Sequence, residues 1–199
     1  MTDQSPGTER VPAPERPPAE GYQKFAGIDA TVQDFWRFAM SDLRVNNTRG
    51  YLAEFFVARA LGVQATRVEW DDYDVLWEDV KIEVKSSAYL QVWPQRKPSQ
   101  IRFTGLRGRA WGDLATGLAE EATYKADVYV LCVQTTLLHA DYDPLDITAW
   151  EFYVLSRRTL AEVGAKSLGL ATVTHLTAPV PFDGLRAAVR VAAAANNDS

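Results

Sequence analysis

The chain has 199 residues, of which 47% are hydrophobic, and its formal net charge is −5 at pH 7. It can therefore form one domain with its own core, and it has neither an 18-residue apolar run nor a basic, apolar N-terminal signal. We expect a soluble, cytoplasmic protein with no membrane partner. One cysteine and two distant histidines exclude an internal disulfide and argue against zinc or histidine-based metal chemistry. The chemistry must then come from carboxylates and lysine.

Residues 1–20 contain five prolines among polar residues, a composition typical of a disordered tail. We predict a single domain over residues 21–195 and a disordered C-terminus over residues 196–199. Apolar spacing predicts an amphipathic helix from Thr31 to Leu43 at the start of the domain.

A second helix is predicted from Arg49 to Leu61, where apolar residues recur at core-facing positions. Asn47 and Thr48 are available as its N-caps, and Gly62 stands where a C-cap glycine belongs. Glu54 is the one acidic residue of this helix.

Residues 72–87 read DYDVLWEDVKIEVKSS, which predicts two strands joined by a hairpin at Glu78 and Asp79. In this register Asp74 lies opposite Glu83, with Cβ atoms roughly 5 Å apart. Two opposed carboxylates repel each other unless a cation or proton lies between them, and a divalent metal supplies that cation. Lys85, two residues on, completes a site for phosphodiester hydrolysis. The alternative is an ordinary amphipathic hairpin whose polar face is solvated.

Asp74 followed nine positions later by Glu83-Val84-Lys85 resembles the PD-(D/E)xK signature of restriction-endonuclease-like nucleases. Tyr73 replaces the proline of that signature, and the resemblance extends over residues 50–91. It implies an α/β fold of the α+β type, a restriction-endonuclease-like core in which helices flank a mixed β-sheet.

The resemblance also implies roles for two residues outside the hairpin. Glu54 matches a helix glutamate that reaches the metal site, and three crowded carboxylates should raise the pKa of at least one of them. Gln91 matches a residue that orients the site or the nucleic-acid strand. The alternatives are a surface pair of Glu54 with Arg49 or Arg59, and a plain surface hydrogen bond for Gln91.

A basic strip follows the hairpin and contains no acidic residue. Aromatic residues are interleaved with it, as on a phosphate-tracking surface that binds nucleic acid. A solvated loop with ordinary arginines is the alternative. The strip consists of Arg96, Lys97, Arg102, Arg107 and Arg109.

The remaining elements supply a scaffold. Strands are predicted over Ile101–Thr104, Asp127–Gln134, Trp150–Leu155 and Ala171–Leu176. Helices are predicted after Ser156 as far as Val163, and from Phe182 to Ala193 with Asp183 as N-cap. The order helix, hairpin, strand, strand, helix agrees with the resemblance.

The predicted function is a Mg²⁺-dependent DNA endonuclease. Asp74, Glu83 and the Val84 carbonyl would hold Mg²⁺, with Mn²⁺ as a substitute, and Glu54 would hold a metal-bound water or a second ion. Lys85 would orient or deprotonate the attacking water. The alternatives are a catalytically silent module that binds nucleic acid or a partner, and a phosphodiesterase that acts on RNA. DNA is the expected partner, with a homodimer or a specificity protein beside it, in a phage-defence or DNA-processing setting.

Overall fold

The computed structural model describes residues 17–64, 66–67, 72–108 and 121–196. Residues 1–16 of the predicted tail and residues 197–199 lie outside these ranges. The chain divides into two compact units, residues 1–41 and residues 42–199. No helix within the described ranges is both long and apolar enough to cross a membrane.

The first unit contains helix α1, Val32–Met40. A capping box begins it: the Asp34 N–H donates to the Thr31 hydroxyl at 3.3 Å, and the Asp34 carboxylate accepts from the Thr31 N–H at 2.9 Å. The predicted helix is confirmed, although it ends three residues before Leu43. Asp42 stops it because its carboxylate accepts the Arg44 N–H and forms a turn.

The second unit is mixed α/β, with helices flanking a four-stranded mixed sheet. The strands are β1 Val75–Trp77, β2 Val80–Ala88, β3 Arg102–Phe103, β4 Val128–Gln134, β5 Trp150–Ser156 and β6 Leu168–Gly169. The sheet has the order β1-β2-β4-β5, in which β2 and β4 are parallel and the other pairs are antiparallel. A separate two-stranded ribbon pairs β3 with β6. The helices are α2 Asn46–Leu61, α3 Arg157–Val163, α4 Leu170–Leu176 and α5 Leu185–Ala194.

The central strand β4 is buried along its whole length, because both faces of the sheet are covered. Side chains on one face, such as Ile82 and Val130, pack with α2 and α5. Side chains on the other, such as Tyr129 and Leu131, pack with residues of α3, α4 and the β3–β6 ribbon. The sheet thus separates two apolar layers.

Several predicted elements are confirmed. The hairpin has the expected register, with Val75 opposite Ile82 and Trp77 opposite Val80. The strands predicted at residues 101–104, 127–134 and 150–155 are present as β3, β4 and β5. Ser156 caps α3 by accepting the Thr159 N–H at 3.0 Å.

Three local predictions are wrong. Residues 171–176 lie in helix α4 rather than in a strand, and Val173 is the buried residue of that helix. Asn47 and Thr48 lie inside the first turn of α2, where Val45 is the N-cap without a side-chain bond. Asp183 lies in a 3₁₀ turn, and α5 begins after Gly184. Tertiary packing overrode local propensity in α4, since β-branched residues alone favour a strand.

Helix α2 ends at Gly62, as predicted, with φ +78° and its N–H bonded back to Ala58 and Arg59 carbonyls. The Arg186 guanidinium donates to the carbonyls of Ala60 and Leu61, so it satisfies two further acceptors at this helix end. These contacts fix the C-terminal end of the helix that carries Glu54.

Replacement by alanine should have opposite effects on stability at two glycines of this region. Gly62→Ala should lower the free energy of unfolding by about 1 kcal/mol or more, because it forces alanine to positive φ and places a Cβ 2.7 Å from Arg186 Nη2. Gly50→Ala, within α2 and with nothing within 4 Å of the new Cβ, should raise it by roughly 0.5 to 1 kcal/mol. Urea unfolding of both variants tests the assignment, and equal effects would contradict it.

Candidate active site

The candidate site lies where β2 loses its partner strand. The pairing with β1 stops at Val75, whereas β2 continues to Ala88. The Asp74 N–H still donates to the Ile82 carbonyl at 2.9 Å. One step further, the Asp74 carboxylate takes the place of the missing strand and accepts the Val84 N–H at 2.7 Å. Asp74 is therefore fixed against the backbone of the segment that carries Glu83 and Lys85.

The backbone of Val84 brings a further oxygen to this edge. In an extended strand the N–H and C=O of one residue point to the same side. Because the Val84 N–H points to Asp74, its carbonyl faces the same side of β2. The Val84 side chain is buried on the α2 face of the sheet. Burial of that side chain holds the carbonyl in place.

Glu83 and Lys85 lie on the opposite face, in register with Tyr129 and Leu131 of β4. Their side chains are mostly buried, with exposed fractions of 20% and 29%. The Lys85 ammonium contacts the Glu83 carboxylate directly. Side chains thus alternate between the two faces along β2, since Ile82 and Val84 face the other core.

Glu54 reaches the site from helix α2. Ala53 and Val57 of that helix are fully buried against the sheet, which leaves the Glu54 side chain 13% exposed. Its partner is Arg67, at 2.5 Å, and not Arg49 or Arg59.

The two arginines that the sequence offered to Glu54 are engaged elsewhere. The Arg49 guanidinium is buried and donates to the Arg44 carbonyl and the Asn46 side chain. The Arg59 guanidinium lies 5.0 Å from the ring centroid of Phe55. The alternative of a surface pair between Glu54 and either arginine is therefore wrong, and the ion pair of Glu54 with Arg67 is partly buried.

The electrostatics of the acids are coupled. Burial raises the pKa of Glu83; Lys85 lowers it in part, and the Asp74 charge raises it further. Burial likewise raises the pKa of Glu54, with Asp74 adding to the increase and Arg67 opposing it. The expected rise is confirmed in direction, but burial is its larger cause.

The donor set suits a hard divalent cation by its chemistry. Two carboxylates and a backbone carbonyl are oxygen ligands of the kind that Mg²⁺ prefers. Within the described ranges, however, no group of three or more acidic, histidine or cysteine side chains is gathered closely enough to hold a metal. Glu83 contacts Lys85 and Glu54 contacts Arg67. A metal at these carboxylates would therefore compete with two cationic side chains.

Gln91 lies beyond the end of β2 in a local network. Its side-chain amide donates to the Ala88 carbonyl and the Ser99 hydroxyl, and its N–H donates to the Gln95 side chain. These bonds hold the loop of residues 89–99 together. These bonds agree with the alternative of a plain hydrogen-bonding role for Gln91, and they do not include a contact with the acids.

The basic strip does not present a uniform surface. Arg96 and Lys97 are exposed, whereas Arg102 donates to the Ser167 hydroxyl at 3.0 Å. Arg107 lies 5.5 Å from the ring centroid of Tyr124, and Arg109 lies outside the described residues. Arg96 and Lys97 are the two members best placed to meet a phosphate.

The sequence did not identify two cationic residues that lie near the acids. Arg67 pairs with Glu54 from 13 residues away, across a loop with no periodic pattern. Lys125 lies 2.7 Å from Asp72 and lowers the pKa of Glu83. Lys125 also lines, with Glu83, a cavity of about 170 Å³. Only the parallel pairing of β2 with β4 could have signalled Lys125, because it brings the start of β4 beside Glu83.

Comparisons with known proteins do not assign the chain to a family. No protein-family model, curated protein or solved structure matches the chain.

The raised pKa of Glu83 has a testable consequence for stability without metal. Its carboxyl group favours the folded state fully below the unfolded value of 4.5, and this contribution is lost as the pH rises through the higher folded pKa. Glu83→Gln should therefore stabilise the protein at pH 7 in EDTA, and the gain should vanish near pH 4. Urea unfolding at both pH values measures this, with Asp79→Asn in the exposed hairpin turn as control. A loss of stability at pH 7 would contradict the assignment.

Proposed function

We propose that residues 42–199 form a Mg²⁺-dependent DNA endonuclease domain with a restriction-endonuclease-like core. The observation that carries this proposal is the bond from the Val84 N–H to the Asp74 carboxylate. It places an acid beside the Glu83-Val84-Lys85 segment at an open strand edge. Further support comes from Glu54, which approaches the same acids from α2 closely enough for Asp74 to affect its pKa.

The topology is compatible with the proposed core. Helix α2 precedes the β1–β2 hairpin, and β4 and β5 complete a mixed sheet before α5 covers one face. This is the element order that the PD-(D/E)xK resemblance implies. It supports the assignment through the elements that position the acids, and fold alone does not define an activity.

In the proposed mechanism, Asp74, Glu83 and the Val84 carbonyl would hold the metal ion. A bound divalent ion lowers the pKa of a water ligand and neutralises charge on the phosphate. Asp74 keeps its orientation through the Val84 N–H. Glu54 would hold a water of that ion or a second ion.

Lys85 has the chemistry to position the nucleophile. Its ammonium contacts Glu83 on the face away from α2, and from there it would donate a hydrogen bond to the attacking water. It also stabilises negative charge that develops on the phosphate oxygens. Arg96 and Lys97 would bind backbone phosphates, and their charge offsets part of the net acidity of the chain.

A domain of this kind has one active site for each chain. Cutting both strands of a duplex then calls for two chains, so a homodimer fits the proposed activity. A separate specificity protein is the other way to direct one active site to a sequence.

Replacing the proposed catalytic groups should abolish cleavage while leaving the fold intact. Asp74→Ala, Glu83→Ala and Lys85→Ala should each slow Mg²⁺- or Mn²⁺-dependent cutting of plasmid DNA by about 100-fold or more. Lys81→Ala, on the same strand and face as Lys85, and Asp79→Ala are matched controls that should cut at the parental rate. Far-ultraviolet circular dichroism checks the fold.

The outcomes separate the proposed activity from its alternatives. Undiminished cutting by a triple variant would assign the chemistry to other residues. Metal-independent DNA binding without cutting would favour a catalytically silent module. Cutting of RNA but not of DNA would change the substrate.

The exposed basic pair should control the electrostatics of binding. Arg96→Ala with Lys97→Ala should weaken binding to DNA of any sequence and make log Kd less dependent on log salt, by about 0.9 for each lost phosphate contact. Arg158→Ala, an exposed arginine of α3, is the control and should leave the slope unchanged. Fluorescence anisotropy over a salt series measures this. If the Arg96 and Lys97 substitutions leave the slope unchanged, DNA contacts a different surface of the protein.

A further inference from the structure

A cavity of about 420 Å³ opens directly beside the acids. Glu54 and Asp74 form part of its wall, and most of the remaining lining comes from α2 and from β1. Its volume falls within the range of roughly 300 to 1,000 Å³ that holds small-molecule groups. The cavity therefore adjoins the proposed cutting site and can hold a group attached to the reacting phosphate.

Large apolar side chains form part of the wall of this cavity. Tyr51 and Phe55 lie one turn apart on α2 and are 38% and 49% exposed, and Leu76 of β1 is 42% exposed. Large apolar side chains left open next to a polar site mark a surface that binds something. The flat rings suit a planar ligand better than a branched aliphatic one.

Two guanidinium groups lie over the faces of these rings. Arg67 lies 4.5 Å from the ring centroid of Tyr51, and Arg59 lies 5.0 Å from that of Phe55. Nucleobases stack both on aromatic rings and on guanidinium planes. The positive charge of the arginines also complements a ligand that carries phosphate.

We propose, resting on the nuclease function above, that this cavity receives one unpaired base of the strand that is cut. The base that enters belongs to a nucleotide next to the scissile phosphate, since the cavity shares Glu54 and Asp74 with the proposed site. A base stacked within a duplex cannot enter it. The preferred substrate is therefore DNA with unpaired nucleotides at the cut, such as a single strand, a flap or a frayed end.

A double-mutant cycle tests this inference without any cleavage. In EDTA, the binding of a six-nucleotide DNA strand is compared with that of a six-unit strand of equal charge that lacks all bases. The parent should prefer the strand with bases by about 5- to 150-fold, the equivalent of 1 to 3 kcal/mol for one stacked base. Phe55→Ala should lose most of that preference, and Phe55→Tyr should keep it.

Controls separate stacking from folding and from charge. Phe38→Ala removes an aromatic ring that is 88% exposed on α1 and should keep the parental preference. Phe55→Leu fills space without a ring, so it should lose the preference even if Phe55→Ala unfolds. The salt dependence of binding should stay the same in all of these variants, because no phosphate contact changes.

The two proposals fail in different ways. A preference for bases that Phe55→Leu and Tyr51→Leu leave unchanged would overturn the base cavity, even if the protein cuts DNA. A preference that depends on Phe55 in a protein that cuts nothing with Mg²⁺ or Mn²⁺ would support the cavity and overturn the nuclease.

Discussion

The short hydrogen bond between the Val84 N–H and the Asp74 carboxylate is the interaction on which the site depends. It exists because the pairing with β1 extends no further than Val75, whereas β2 continues. An N–H that no strand receives must find another acceptor, and Asp74 supplies it. The absence of a strand partner at Val84 therefore places an acid next to Glu83 and Lys85.

The sheet tolerates this arrangement because the apolar residues buried on both of its faces stabilise the fold. Glu83 and Lys85 lie toward one layer, and Glu54 comes from the helix that packs on the other. Asp74, at the open edge, lies close enough to both Glu83 and Glu54 to raise their pKa values. Because buried carboxylates resist ionisation, the domain stabilises their charge with Lys85 and Arg67. A metal ion at these carboxylates would have to compete with both of these contacts.

The sequence predicts the features that follow from the short periods of strands and helices. It misses the contacts between segments that lie far apart along the chain. Strand alternation fixes the register of Val75 with Ile82, and a helical period places Glu54 on α2. Arg67 and Lys125 reach the acids from distant segments, so no local pattern marks them. Residues 171–176 carry β-branched side chains and still form a helix, because packing against the sheet decides that segment.

An open strand edge also needs protection from pairing with other chains, and charged residues commonly provide it. Asp74, Glu83 and Lys85 would serve that purpose in a protein with no catalytic activity. Edge protection, however, works best with exposed charge, and it gains nothing from a helix glutamate that is 13% exposed. Burying Glu54 and Glu83 costs stability, because it raises the pKa of both carboxyl groups. Strain of this kind is typical of functional sites. The burial of the acids, more than their sequence spacing, therefore favours a catalytic role for this edge.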